Sequence, residues 1–171
     1  MKLFSFASKN LDNIWLGVEH QKWAVATVSQ SAMAGRATKA DRYLIPGVHG
    51  LLYCSPLHAF TVPFVVTSHA DPIKVIKDIW PEGWSFPFSI RPFGDPRKQV
   101  KAKDAMAHWP VLIKRQEARG SAGGVSAALN ITGATVFSPV EITQDDWAII
   151  IDELAIPSDY EPEEPVGRDG Q

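Results

Sequence analysis

The chain has 171 residues, 45% of them hydrophobic and 21% charged, which suits the core of one ordinary domain and excludes a disordered or fibrous chain. No run reaches the roughly eighteen uninterrupted apolar residues of a membrane-crossing helix, and Met1 to Phe6 does not open a signal-like apolar stretch. The single cysteine, Cys54, excludes an internal disulfide, and the five histidines lack zinc-ligand spacing, so a metal-free, cofactor-free cytoplasmic protein is expected.

In chain order, Asn13 to Val18 (NIWLGV) is a short β-rich run and reads as a first strand. Glu19 to Ala34 is richer in alanine and reads as a helix with Trp23, Ala26 and Thr27 on one side. Gly35 to Gly47 is polar, basic and closed by Pro46-Gly47, which reads as a loop. His49 to Ser55 and Ala59 to Ser68 read as buried strands, with Pro63 in the second implying an edge, a bulge or a bend. Phe86 to Pro92 alternates Phe86, Phe88 and Ile90 as a strand should, and its Pro87 implies an edge or a barrel rim.

Pro96 to His108 reads as a polar, basic helix stopped by Trp109-Pro110, and the glycines between Arg119 and Thr132 mark a loop. Ala134 to Glu141 reads as the last strand. Thr143 and Asp146 then form a capping-box pattern, followed by Trp147, Ile150, Ile151 and Leu154 on one helical face ended by Pro157. The expected division is a domain over residues 1–156 and an acidic, proline-rich disordered tail or linker over 157–171. Short, proline-interrupted strands with few helices suit a small open barrel of the α+β class. A dinucleotide fingerprint, a P-loop and H-E-x-x-H are all missing.

The net charge of -2 conceals an asymmetry, because Pro157 onward carries -4 and residues 1–156 are left at +2. Arg91 to Arg119 holds eight basic residues against three acids, and Arg36, Lys39 and Arg42 have only Asp41 beside them. Such clusters fit phosphate contact as well as an ordinary solvated face. Cys54 lies in an apolar strand and reads as a small buried hydrophobe, and no persuasive nucleophile and base pair is visible. Six tryptophans are many for this length, and Trp80 and Trp84 flank the short turn Pro81-Glu82-Gly83. Flat rings so placed stack on another flat ring or cage a methylated group. Trp109 and Trp147 read as core.

This order of motifs resembles the PUA-like superfamily, within it the EVE and YTH branches, over about residues 13–155. NIWLGVEHQKW is similar to the tryptophan-bearing first strand of YTH domains, HGLLYCSPLHAFTVPFVVTS to the family hairpin, and IWPEGWSFPFSIRPFGDP to the stretch where two tryptophans precede a strand. The resemblance implies an α+β, PUA-like open β-barrel with short helices that flips a modified base into an aromatic cage. Trp15, Trp80 and Trp84 match the cage positions, Trp23 is held in reserve, and Tyr53 and Phe60 face the same region. Ser55, Ser85 and the backbone near Asn13 are the candidates to read the base edge. Arg36, Lys39, Arg42, Arg91, Arg97, Lys98 and Lys101 are the phosphate candidates.

Members of these branches act as heads of modification-dependent restriction enzymes, which implies DNA before RNA and a nuclease or motor partner, with no membrane partner and no catalysis of its own. One rival is a hydrolase or ribonuclease of the related ASCH type, for which Lys22, Thr67 and Glu82 are the right residue types. The other is a small-ligand or protein-interaction barrel whose tryptophans are only core.

Overall fold

The computed structural model describes residues 1–119, 124–131 and 136–157. Its centre is a parallel pair, β1 (Lys2–Ser8) and β3 (His49–Cys54), with register partners running from Leu3 and His49 to Ser8 and Cys54. Between them the chain forms α1 (Leu11–His20), β2 (Lys22–Ala26) and α2 (Gln30–Tyr43). Next come β4 (Ala59–Val66), β5 (Val75–Ile76) and β6 (Trp84–Pro92), all antiparallel to their neighbours. The rest is β7 (Val100–Lys101), α3 (Ala102–His108), α4 (Pro110–Arg119), α5 (Gly124–Ala128), β8 (Val140–Glu141) and α6 (Gln144–Leu154). The strands follow the path β2-β6-β4-β3-β1-β8, with β5 on β6 and β7 on β4. The result is the expected α+β architecture, a curled half-barrel with short helices.

Several local expectations are corrected. NIWLGV lies within helix α1, because the Asn10 side chain accepts the Asn13 N–H at 2.8 Å and caps it. A mostly apolar run of this length is too short for its period to separate the two readings, and Ile14, Gly17 and Val18 bury one helical face. The helix expected from Glu19 starts only after Ser29, which caps α2, and β2 precedes it. The loop expected from Gly35 is helical to Tyr43, since Met33, Ala37 and Ala40 recur against the core at helical spacing. The sequence reading passed over β1, whose Phe4 and Phe6 face one side and Leu3 the other.

Of Pro96 to His108 only Ala102–His108 is helical, and Pro110 opens α4 instead of ending the run. The loop expected over 119–132 contains α5, and only Val140–Glu141 of the expected last strand is a described strand. Residues 120–123, 132–135 and 158–171 lie outside the described residues, and with them most of the tail. The strands at His49, Ala59 and Phe86 and the capping box of Thr143 and Asp146 form as read. Pro87 lies where β6 has no ladder partner on the side away from β2, because β4 pairs with it only over Ile90–Pro92 and β5 only at Trp84 and Ser85. It sits in a bulge where Ala24 alone faces Phe86 and Pro87, and the left-handed Phe86 (φ 57°) absorbs the extra residue. Pro63 is interior, beside the irregular step between Leu51 and Tyr53.

The sheet buries two cores. One face holds Phe4, Phe6, Trp23, Phe64, Trp80 and Phe88 under α1 and α2. The other holds Leu3, Leu51, Phe60, Trp109 and Ile150 under α3, α4 and α6. Cys54 is buried as expected, Trp109 is core, and Trp147 packs half-buried against the same core as Trp109, with its ring 4.4 Å from that of His49.

Candidate nucleic-acid interface

The strand path leaves a seam. β2 pairs only with β6, β8 pairs only with Lys2 and Leu3 of β1, and no described strand bridges β2 to the second half of β1. Exposed strand edges carry backbone donors and acceptors that a ligand can engage. Helix α1 sets the depth of the seam through Gly17. A Cβ at Gly17 would stand 2.8 Å from the Trp23 ring, so glycine lets Trp23 approach the helix closely. The bulge opposite Ala24 then places Trp84 of β6 beside Trp23.

The three indoles form one block. Trp80 and Trp84 stack with centroids 4.6 Å apart and planes 13° apart, and Trp23 meets both edge-on, at 5.5 and 5.4 Å. Trp80 is only 2% exposed, and its indole N–H donates to the Asn13 carbonyl at 2.9 Å. The Asn13 side chain is also buried, and its amide nitrogen has no hydrogen-bond acceptor among the described residues.

A cavity of about 420 Å³ fills the seam, with Phe6 and Ala7 of β1 on one side and Trp23 to Ala26 of β2 on the other. Trp84, Ile131 and Val136 complete its apolar lining, and its charged lining is Lys9, Glu82 and Arg36. Lys9 and Glu82 form an ion pair that joins the β1–α1 connection to the Trp80–Trp84 turn. Lys9 holds the Glu82 carboxyl below its ordinary range, and the Trp84 side chain acts in the same direction. Arg36 donates to the Ala26 carbonyl at 3.2 Å, and partial burial lowers its pKa from an ordinary value so high that the charge stays.

The residues singled out by sequence part company here. Trp23 and Trp84 line the cavity, and Trp80 backs Trp84. Trp15 does not join them: it is 40% exposed on α1, because Ile14 and Val18 take the buried face. Ser85 is buried with its hydroxyl 2.7 Å from that of Thr27. Tyr53 and Ser55 line a different cavity, and Phe60 is fully buried, stacked on Trp109 at 5.0 Å.

Of the seven basic candidates only Arg36 lines the seam cavity. Arg42 lies over Tyr43 and Arg91 over Phe93, Lys98 donates to the Ala155 carbonyl, and Lys101 donates to the Leu57 carbonyl. Lys39 sits half-buried on α2. Arg97 neutralises buried Asp95 through Nε at 3.0 Å and Nη2 at 2.7 Å. The hydrolase constellation does not assemble. The Lys22 Nζ donates to the Ser89 hydroxyl and the Thr67 backbone N–H to the Ser89 carbonyl, whereas Glu82 belongs to the seam cavity, which neither Lys22 nor Thr67 lines. Among the described residues no group of three His, Cys, Asp or Glu side chains is placed to hold a metal.

Sequence reasoning missed Phe6, Lys9 and the Asn13 amide. The alternation of LFSFAS and the polar Ser8-Lys9-Asn10 after it were signals that the site lies where a strand ends and a capped helix begins.

No protein-family model and no curated protein matches the chain. Among solved structures, the Mmi1 YTH domain in complex with RNA is similar, with a TM-score of 0.51, 10% identity, and coverage of 88% of this chain and 76% of that one. The YTH domain of Zygosaccharomyces rouxii MRB1, in complex with N6-methyladenosine RNA, matches at a TM-score of 0.49 and 13% identity, over 63% of this chain and 66% of that one, just under two thirds of its length. The α+β half-barrel is thus similar in fold to the Mmi1 YTH domain.

Proposed function

We propose that the chain reads a modified base in a nucleic acid by taking the base out of the stack into the seam cavity. The observation that carries this is the cavity itself: two indoles on its wall, and two cations and a carboxylate beside them. Extracting a base costs a few kcal/mol, and stacking on an indole returns about 1–3 kcal/mol per base. One added methyl gains only about 0.8 kcal/mol by burial, roughly fourfold, so selectivity requires the methyl to be enclosed by rings and not merely covered.

Trp80 and Trp84 already occupy each other's faces, so the base stacks on the cavity face of Trp84, with Trp23 closing the side. Lys9 and Arg36 outnumber Glu82, which favours an anionic phosphate at the wall and disfavours a methylated ammonium in the same cage. The unpaired Asn13 amide behind Trp80 is a further donor for a base edge if the stack parts. The Mmi1 domain was solved with RNA, which puts RNA ahead of the DNA implied by the sequence resemblance.

Fluorescence anisotropy at stated salt tests the reading. Matched single strands of RNA and DNA would carry N6-methyladenine, 5-methylcytosine, 5-hydroxymethylcytosine or no modification. The expected result is tighter binding of one modified strand, lost in Trp84→Ala and retained in Trp15→Ala. Equal binding of all strands, weakening together with salt, would leave a phosphate-binding surface and overturn the reader.

A further inference from the structure

A second cavity, of about 400 Å³, is lined by Tyr53, Ser55, His58, Met106, Val125 and Ser126 among others, on the face of the sheet that carries Leu3 and Trp109. The central strand pair separates it from the first. Ala7 lines the seam cavity, Tyr53 lines the second, and these two residues are register partners of the parallel ladder, one strand spacing or about 4.8 Å apart. The strand ends are also tied together, because the Ser55 N–H donates to the Ser8 carbonyl at 2.9 Å. A single segment borders both cavities, through Val125 and Ser126 at the second and Ile131 at the first.

The walls of the second cavity suit a flat, partly polar ring. Tyr53 and Met106 provide an aromatic and a polarizable surface, and Ser55, His58 and Ser126 provide groups that donate or accept. Tyr53 is braced from behind by Phe60, whose ring centroid is 5.0 Å away. Two lysines lie near the strand ends: Lys101 donates to the Leu57 carbonyl in the β3–β4 turn, and Lys9, ion-paired with Glu82, follows Ser8. The dividing rim is thus a backbone ridge with a cation near each side, the arrangement a phosphodiester linkage needs when the bases on either side of it enter separate pockets.

We infer that this second cavity is a subsite for a base neighbouring the one bound in the seam, so that the protein reads sequence context as well as modification. The inference rests on the base-reading proposed above. It assigns to Tyr53 and Ser55 a role one pocket away from the tryptophans, and it adds His58 and Ser126, which the sequence did not single out.

The test uses three sets of single-stranded RNA pentamers with N6-methyladenine, 5-methylcytosine or 5-hydroxymethylcytosine at the centre. Each set varies one neighbour at a time among adenine, uracil and an abasic residue, and the corresponding free modified nucleosides serve as references. Two exposed variants probe the subsite, Ser55→Trp to block its mouth and His58→Asn to remove the ring while tolerating the left-handed φ of 49°. For the set that binds, an abasic residue on one side is expected to weaken binding roughly fivefold or more. Both variants should erase that difference with unchanged thermal midpoints and unchanged nucleoside affinity. Amide shifts at Tyr53, His58, Val125 and Ser126 should respond to the pentamer and not to the nucleoside.

Equal binding of abasic and intact neighbours on both sides, or an undiminished neighbour effect in both variants, would overturn the subsite and leave the seam reading standing. Failure of every nucleoside and every pentamer to bind would overturn the seam reading, and the subsite with it.

Discussion

Trp23 and Trp80 on one face of the curled sheet and Trp109 on the other are all at most 2% exposed, yet the first pair belongs to a block of indoles that borders the seam cavity, whereas Trp109 lies behind Phe60 and Tyr53, two rings from the second cavity. Trp109 stacks on Phe60 and donates its indole N–H to Glu153, with α3, α4 and α6 packed around it. The tryptophans of the other face end at a seam that no described strand closes. The difference comes from strand pairing and not from residue type: the same large ring fills a core where helices seal the face and becomes a wall where the ladder stops short.

That contrast is most severely tested by truncating each kind of tryptophan. Trp109→Ala should cost about 3–5 kcal/mol of stability, the ordinary loss for a buried tryptophan, and it also strips a hydrogen bond from Glu153. Denaturant unfolding would measure it, and the molecules that stay folded should bind the free modified nucleoside as before, because Trp109 reaches only the second cavity, through Phe60 and Tyr53. Trp84→Ala removes a half-buried ring, so its first effect should be on affinity, a loss of about 1–3 kcal/mol for the preferred strand with a smaller loss of stability. A loss of nucleoside affinity in Trp109→Ala matching that of Trp84→Ala would break the distinction between the faces.

Gly17→Ala sharpens the same comparison from the backbone. In an exposed helix this change gains up to about 1 kcal/mol. Here the new Cβ would meet the Trp23 ring at 2.8 Å and the Lys22 carbonyl at 3.0 Å, so a net loss of about 1–3 kcal/mol is expected. The thermal midpoint would show the loss, and a change in tryptophan emission would show Trp23 tilting into the cavity. Arg36→Gln should leave stability nearly unchanged. If Arg36 meets a phosphate, the slope of log affinity against log salt should fall by roughly 0.7–0.9, equally for modified and unmodified strands.

The fold was legible where a pattern belonged to one element. Thr143 and Asp146 announced α6, and the Phe86–Ile90 alternation announced β6, because capping and period two are local signals. The tryptophan turn was legible as a pair but not as a stack, since the bulge that brings Trp84 against Trp80 and Trp23 depends on β2 as well as on β6. Trp15 was misplaced for a related reason. The short, mostly apolar run around it fits a strand or a helix, and the deciding contact is the Asn10 cap just upstream. The seam itself could not be read, because it follows from β1 pairing in parallel with β3 and only briefly with β8. The charge of the Arg91–Arg119 stretch was visible, but its use by Asp95 and by backbone carbonyls was not.

The weakest expected effect lies on the sealed face and asks whether the two faces titrate independently. His108 on α3 faces Glu153 on α6 with Nε2 at 2.9 and 3.1 Å from the carboxylate oxygens, and it also contacts the Asp104 carbonyl. Glu153 raises its pKa above the ordinary 6.5. Because the folded value is the higher one, the stabilisation is fully present below about 6.5 and is lost as pH rises through the folded value. The pair is exposed, so the gain should be small. Proton NMR should show His108 titrating above the ordinary histidine range. Glu153→Gln should return it toward that range while keeping an acceptor for Trp109, and the slight fall in unfolding midpoint from pH 5.5 to pH 8 should vanish in His108→Gln. Nucleic-acid affinity over the same interval should not follow His108, since its partners belong to the face that helices close and the seam cavity is lined by none of them.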